Sequence, residues 1–306
     1  MKIIEGKSVS CVKGYKAAGC AVGLKKSGKK DMGLIYSEVP AVSAAVFTTN
    51  VVKAAPVLTD MKHVQNPTTR AMIINSGNAN ACTGDQGIQD ALSMAEKTAE
   101  LLDVKPEDVL VYSTGVIGQP MPMDIIISGI EQCAGALASG GDEVHRAIMT
   151  TDTKEKCIFA EIELSGKTVS ICGIAKGSGM IHPNMATMLS YVVTDAAVSK
   201  EVLTAMQKKI THTTFNMVTV DGDTSTNDTA TIIANGCAGN PIIDKAEGED
   251  YKTLYDAVYY VTEYLAKAIA ADGEGATRLM EVDLIGAETE EQARTCARSV
   301  ASSSLV

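Results

Sequence analysis

Apolar residues recur along this chain with two periods, and the switches between them divide it into helices and strands. Ile88, Leu92, Ala95, Ala99 and Leu102 follow a 4-3-4-3 spacing, which gathers them on one face of a helix. A second stripe, Leu254, Val258, Val261, Leu265 and Ile269, predicts a helix over 250–271 that Gly273 stops. Shorter stripes predict helices around Ile126, Ile127 and Ile130, and over 199–212 through Val202, Met206 and Ile210. Alternation marks Ile158, Ala160, Ile162 and Leu164 as a half-buried strand. Ser165-Gly166 then makes a two-residue turn into Val169, Ile171 and Gly173, so 157–175 is predicted to be a hairpin. Runs at 41–49, 71–75 and 109–112 read as further strands, the last leading into Ser113-Thr114-Gly115. Residues 187–194 are apolar and partly β-branched, the pattern of a buried strand. These elements do not alternate as regular βαβ units, so the expected fold class is α+β, in layered sheets and helices.

Composition narrows the picture. The 306 residues suffice for one large domain or two intertwined ones, and no tandem repeat or flexible linker divides them. The formal net charge of -10, with aromatics at 4% and no Trp, disfavours nucleic acid and anionic membranes as partners. Eight cysteines are scattered without a C-x-x-C pair, and four histidines are too few to complete a zinc cluster, so no metal is expected. No apolar run has the length of a signal peptide core or a membrane span. A reduced, cytoplasmic location is the expectation.

Several motifs invite a chemical reading. Gly23-LKKS-Gly28-Lys29-Lys30 has phosphate-loop spacing, but Lys30 stands where Ser or Thr should hold magnesium, and no apolar strand feeds it. It reads as a basic surface turn. Asp221–Asp228 hints at a calcium loop, but Thr226 and Ile232 occupy the positions that need Gly and Glu, so it reads as a turn rich in side-chain-to-backbone bonds. No G-x-S-x-G elbow accompanies His63, His145, His182 or His212, which read as surface or satisfied residues. Asn75, Asn78 and Asn80 read as shapers of a turn-rich loop.

Thr187 is of another kind. A threonine hydroxyl is a weak nucleophile unless a base takes its proton, and cleavage of the preceding peptide bond turns its own α-amine into that base. Such an amine titrates near ~8, close to working pH. The residue should open a buried strand and follow a loop of small residues. Thr187 does both, with Ala186 before it and Gly, Ser, Pro and Asn further upstream. Many loops deliver a threonine to a strand, so the pattern alone does not single it out.

The segment KGSGMIHPNMATMLSYVVTD, 176–195, closely resembles the self-cleavage segment of the ornithine acetyltransferases, the glutamate N-acetyltransferases of arginine biosynthesis. Seven further blocks resemble that family in its own order: GYKAAGCAVGLKKSGKKD, VFTTNVVKAAPV, INSGNANACTG, STGVIGQPMP, MTTDT, FNMVTVDGDTSTND and DGEGAT. They reach from residue 14 almost to the end of the chain. The resemblance implies an Ntn-like fold and self-cleavage between Ala186 and Thr187, giving an N-terminal chain 1–186 and a C-terminal chain 187–306. It implies that Thr187 accepts acetyl from N2-acetylornithine and passes it to glutamate in a ping-pong transfer. It assigns the oxyanion hole to Thr114 and Gly115, and substrate contacts to Thr153, Lys176, Thr187 and Glu274. It implies no cofactor, though acetyl-CoA serves some members as donor, and a heterotetramer of two processed pairs. The chain ends at SVASSSLV, where the family continues into a further region, so the expectation is a truncated member. Two rivals stay open: an N-terminal-nucleophile hydrolase or aminopeptidase, with water as acceptor, and a non-catalytic remnant.

Overall fold

The computed structural model describes residues 1–140, 142–181, 188–303 and 305. In chain order the strands are β1 (Lys2–Ile3), β2 (Tyr15–Cys20), β3 (Met32–Phe47), β4 (Thr69–Asn78), β5 (Val109–Val116), β6 (Lys156–Leu164), β7 (Lys167–Lys176), β8 (Leu189–Thr194) and β9 (Thr229–Ala234). The helices are α1 (Ala55–His63), α2 (Gly84–Leu102), α3 (Met123–Gly135), α4 (Val144–Ala147), α5 (Lys200–Thr213), α6 (Glu249–Ala271) and α7 (Glu290–Ala301).

The long strand β3 joins two sheets. Its first half pairs antiparallel with β2 and β4, and β4 continues in parallel to β5. Its second half pairs with β9, and the other sheet runs on through β8, β7 and β6 to β1. A register shift between Tyr36 and Ala41 separates the halves. Pro40 sits inside it, where its missing N–H costs no ladder bond.

Alternation along each strand sorts side chains into three cores. Ile158, Ala160, Ile162 and Leu164 of β6 face α5 and α6, whose Val202, Met206, Ile210, Leu254, Val258, Val261, Leu265 and Ile269 lie in the same cluster. Phe159, Cys172, Ile174, Tyr191, Val193 and Ile233 point the other way and meet Ile35, Met72, Ile74, Leu110 and Tyr112 between the sheets. Ala71, Ile73, Val109 and Val111 turn outward against Met94, Ala95, Ile126 and Ile130 of α2 and α3. The result is helix, sheet, sheet, helix, the α+β layering that the pattern predicts.

Most predicted elements are present. The 157–175 hairpin is present with Leu164 opposite Lys167, and its turn residues Ser165 and Gly166 both take positive φ, 46° and 75°. Ser199 caps α5 by accepting from the Val202 amide. Three readings need correction. The strand at 41–49 is the second half of a strand that begins at Met32. A strand, β2, does precede the Gly23 loop; it ends at Cys20 and returns through that loop into β3, so the loop is a hairpin connection with no helix N-terminus to bind phosphate. β9 and α1 were not marked by the periodicity.

α1 has its own reason for escaping notice. Its buried face includes Asp60 and His63. Asp60 accepts from the Val111 amide at 2.8 Å, and His63 Nδ1 lies 2.7 Å from the Val109 carbonyl, so the helix satisfies the outer edge of β5. Asp221 likewise binds backbone, accepting from the Ile181 amide at 2.8 Å and the Asp223 amide at 3.2 Å, as the turn reading requires. Among the described residues no group of three or more His, Cys, Asp and Glu is arranged to hold a metal, and no helix is long and apolar enough to cross a membrane.

At the end of β8, Asp195 is 3% exposed and accepts from the Ser170 amide at 2.7 Å. Burial pushes its carboxyl up to about 6, from an ordinary 3.8. The folded state therefore holds the extra proton between those values, and Asp195 loses stabilising effect as pH rises from about 4 to 6. Above that it costs the fold on the order of 2–3 kcal/mol. Asp195→Asn is expected to gain stability over wild type as pH rises from 4 to 7 in urea melts. A gap independent of pH would refute the assignment.

Candidate active site

The ends of β4 and β5 are built by asparagines. Asn75 accepts from the Ser113 hydroxyl at 2.6 Å and donates to the Asn78 carbonyl at 2.8 Å. Asn78 donates to the carbonyls of Gln119 and Pro120, and Asn80 to that of Gly87 at 2.9 Å. Asn227 reaches across to donate to the carbonyls of Ala79 and Ser113 at 2.7 and 2.8 Å. These bonds fix a strand end where Gly115 takes φ +136°, and a Cβ there would lie 2.4 Å from the Gly77 carbonyl carbon. Only glycine fits.

Thr114 is buried beside it, and Lys176, at the end of β7, donates to Thr114 Oγ1 at 3.1 Å. A lysine ammonium can only donate, so the threonine oxygen accepts and its own proton is left to donate to a third group. Two of the residues assigned by resemblance are thus in direct contact. Burial lowers the pKa of Lys176, and the charges of Asp152 and Asp228 oppose that shift.

Around Lys176 lies a buried ion triad that sequence reading missed. Lys156 is 1% exposed and donates to Asp152 at 2.7 Å and Asp272 at 2.6 Å. Asp152 also accepts from the Gly177 amide at 2.7 Å and the Thr150 amide at 2.9 Å. Asp272 accepts from the Thr153 amide at 3.0 Å, the Thr153 hydroxyl and the Lys154 amide. The Ser178 hydroxyl donates to the Asp272 carbonyl at 2.6 Å. Burial alone would raise the pKa of both carboxylates. The charges of Lys176 and Lys156 hold Asp152 below its ordinary value, and the bonds from Lys156 and Thr153 do the same for Asp272. One triad therefore positions Thr153 and the turn after Lys176 together.

Glu274 is exposed and lies over the same turn. Its amide donates to the Ser178 carbonyl at 3.0 Å, and a Cβ on Gly179 would stand 2.5 Å from its carboxyl carbon. It edges a cleft of about 830 Å³ that Val220, Ala270 and Leu279 also line. Asp228 is 1% exposed; burial raises its pKa well above the ordinary value, and among the described residues its Oδ2 has no hydrogen-bond partner.

The structure thus brings Thr114, Gly115, Thr153, Lys176 and Glu274 into one neighbourhood. Ala186, Thr187 and His182 lie outside the described residues. Met188, next in the chain, accepts from the Thr229 amide at 3.1 Å, and Leu189 pairs with Lys176. His145 lies 3.1 Å from Glu155, and His212 bonds Arg294. With His63, they find their partners elsewhere.

Comparison with known proteins identifies the family. The ArgJ family model matches residues 16–306. The arginine biosynthesis bifunctional protein ArgJ 1 of Clostridium acetobutylicum is 50% identical over 307 aligned residues, covering 100% of this chain and 75% of that protein. ArgJ of Caldanaerobacter subterraneus is 52% identical with the same coverage. The chain therefore spans about three quarters of the length of these relatives. Among solved structures, ArgJ from Bacillus halodurans matches with a TM-score of 0.57 and 46% identity, over 60% of this chain and 97% of that one. Ornithine acetyltransferase from Mycobacterium tuberculosis, solved with ornithine, matches with a TM-score of 0.53 and 36% identity over the same shares. An aminopeptidase from Ochrobactrum anthropi, a variant of the Ntn hydrolase fold, matches at 12% identity with a TM-score of 0.50, a likeness of fold alone. With its layered Ntn-like fold, this chain belongs to the ArgJ family.

Proposed function

We propose that this protein transfers acetyl from N2-acetylornithine to glutamate through an ester on Thr187, after cleaving itself between Ala186 and Thr187. The observation that carries the reading is the buried contact between Lys176 and Thr114 at the strand ends, with Leu189, two residues after Thr187, in register with Lys176. The ornithine-bound relative supports the substrate class.

In the first half-reaction Thr187 Oγ attacks the acetyl carbonyl while its hydroxyl proton moves to the Thr187 α-amine. The amide C–N bond breaks, and that proton leaves on the amine of ornithine. In the second half, the glutamate amine attacks the ester carbonyl, and the Thr187 oxygen leaves and recovers a proton. Thr114 Oγ, polarised by Lys176, and the Gly115 amide are assigned to the oxyanion of each tetrahedral intermediate. Thr153, Lys176 and Glu274 are assigned to substrate, Lys176 toward a carboxylate and Glu274 toward an ammonium group. No cofactor is invoked.

The mature form would pair an N-terminal chain of 186 residues with a C-terminal chain of 120, two pairs forming a heterotetramer. Mass spectrometry under denaturing conditions tests it: two fragments divided before Thr187 are expected, and a single uncut chain rejects the reading. Free acetate instead of N-acetylglutamate would favour the hydrolase alternative.

Thr114→Val keeps the side-chain shape and removes the hydroxyl. It is expected to lower kcat by about 10²–10³-fold, with KM changed less, and Thr114→Ser is expected to restore most of the loss. An unchanged kcat in Thr114→Val would remove Thr114 from the oxyanion hole.

A further inference from the structure

The reaction above leaves one buried acid without a role. The segment Asp221–Asp228 reads as a turn, but its second half is packed inside the protein: Ser225, Thr226 and Asn227 are each 7% exposed and Asp228 1%. The backbone there is anchored from several sides. The Thr48 amide donates to the Asp228 carbonyl at 2.9 Å, and the Thr48 hydroxyl to the Ser225 carbonyl at 2.7 Å. The Ala54 amide donates to the Thr226 carbonyl at 2.9 Å, and Asn227 donates to the carbonyls of Ala79 and Ser113. A polar segment bonded this fully fixes the one titratable side chain within 225–228, that of Asp228.

The Asp228 carboxyl faces the start of β8. It accepts from the Met188 amide and the Ser225 hydroxyl. The Thr229 amide in turn donates to the Met188 carbonyl at 3.1 Å, so residues 228 and 229 hold Met188 by both of its backbone groups. Met188 follows Thr187, and covalent geometry keeps the Thr187 nitrogen within ~4 Å of the Met188 nitrogen. The carboxyl is therefore a short proton path from that nitrogen. Its Oδ2 has no hydrogen-bond partner among the described residues, although a buried oxygen calls for one.

Protonation separates Asp228 from its neighbours. Against burial, the charges and bonds of Lys176, Lys156 and Thr153 hold Asp152 and Asp272 ionised, below the ordinary carboxylate range. At Asp228 burial prevails over the charge of Lys176 and over its two bonds, and the carboxyl keeps its proton well above the ordinary value. Lys176 itself is committed to Thr114 Oγ1 at 3.1 Å.

We propose that Asp228 is the acid of self-cleavage, giving its proton to the Thr187 nitrogen as the peptide bond after Ala186 breaks. This rests on the self-cleavage reading of Thr187. An amide nitrogen is too basic to leave as an anion, so the bond does not break until a proton arrives. Thr187 Oγ bonds to the Ala186 carbonyl carbon, the C–N bond breaks, Asp228 supplies the proton of the new amine, and the proton that left Oγ restores the carboxyl. Water then opens the ester, leaving a carboxylate on Ala186 and the hydroxyl on Thr187. A neutral Asp228 also spares the released amine an anion that would hold it protonated, so the amine stays available as the base of acetyl transfer.

The test follows the full chain, made by cell-free translation with radiolabelled methionine, as it divides before Thr187, timed by gel and mass spectrometry. Asp228→Asn keeps the shape and an acceptor for the Met188 amide but has no acidic proton. It is expected to divide about 100-fold more slowly than wild type, or slower still, while unfolding at a similar temperature. Asp228→Glu restores an acid and is expected to recover part of the rate, whereas a purely structural role would make the longer side chain the worse of the two. Asp228→Ser, smaller and without an acid, repeats the measurement should the asparagine disturb the fold. Division at the wild-type rate in either folded variant, Asn or Ser, overturns the proposal. So does rescue of Asp228→Asn by hydroxylamine, which attacks the ester and would place Asp228 after the C–N bond has broken. A wild type that never divides fails the Thr187 reading and the proposal with it; a wild type that divides beside an equally fast Asp228→Asn fails the proposal alone.

Discussion

Thr187→Ala is expected to remain one polypeptide of 306 residues and to lose acetyl transfer by a factor on the order of 10⁴ or more. Both losses have one cause. Cleavage needs an oxygen at residue 187 to attack the Ala186 carbonyl and convert the amide to an ester, which water opens. Transfer needs the same oxygen to carry the acetyl group, and the amine that cleavage releases to take its proton. An alanine removes the oxygen and keeps the amine buried in a peptide bond. Thr187→Ser retains the oxygen and is expected to cleave and to transfer at a reduced rate. Mass spectrometry reads the first outcome and radiolabelled acetyl exchange the second, with thermal unfolding to show that the variant folds. A Thr187→Ala chain that still divides would place the cleavage chemistry elsewhere, and one that still transfers would place the nucleophile elsewhere.

Layers and helices were legible because their patterns are local. The stripe on α6 and the alternation on β6 each bury one face against a single partner layer, and such faces announce themselves in sequence. β9 did not: all six of its residues are buried, so the two-residue period vanishes, and its Thr-Ala-Thr start breaks up the apolar run that marks the equally buried β8. α7 buries only Ala297, so it has no apolar stripe to read. In the site, Thr114, Gly115, Thr153, Lys176 and Glu274 entered through resemblance to family blocks, not through any spacing. Asp152 and Asp272 lie inside the MTTDT and DGEGAT blocks but draw no role there, and Lys156 lies in no block. Lys156 opens a strand that otherwise reads as ordinary alternation, and its second partner lies 116 residues away, so no local signal links them. What could have raised suspicion is chemical: a lysine at a strand position whose neighbours are core residues must find a counter-charge.

That counter-charge makes Lys156→Met the largest expected loss of stability. The ammonium lies against two carboxylates whose side chains are 0% and 3% exposed. Water cannot reach in to replace it, and methionine fills the same space without charge. Removing one member of a buried ion group costs on the order of 3–5 kcal/mol, because the remaining charges are left uncompensated. Asp152 and Asp272 would then stand together as two anions, with the charges of Lys176 and Lys25 left to act on Asp152, and one would take up a proton. The pH dependence follows. In the wild type both carboxylates titrate below their ordinary value, so their stabilising effect is present above about pH 4 and fades as pH falls through the lowered values. In the variant they titrate higher and are neutralised first. The gap between the two proteins should therefore be widest near pH 7 and shrink toward pH 4, read as urea midpoints. Asp272→Asn added to Lys156→Met should recover part of the loss, since it removes one of the two stranded charges. A Lys156→Met protein within 1 kcal/mol of wild type at pH 7 would mean that the triad does not hold Thr153 and the Lys176 turn in place, and the origin of their geometry would have to be sought in the packing of β6 and β7.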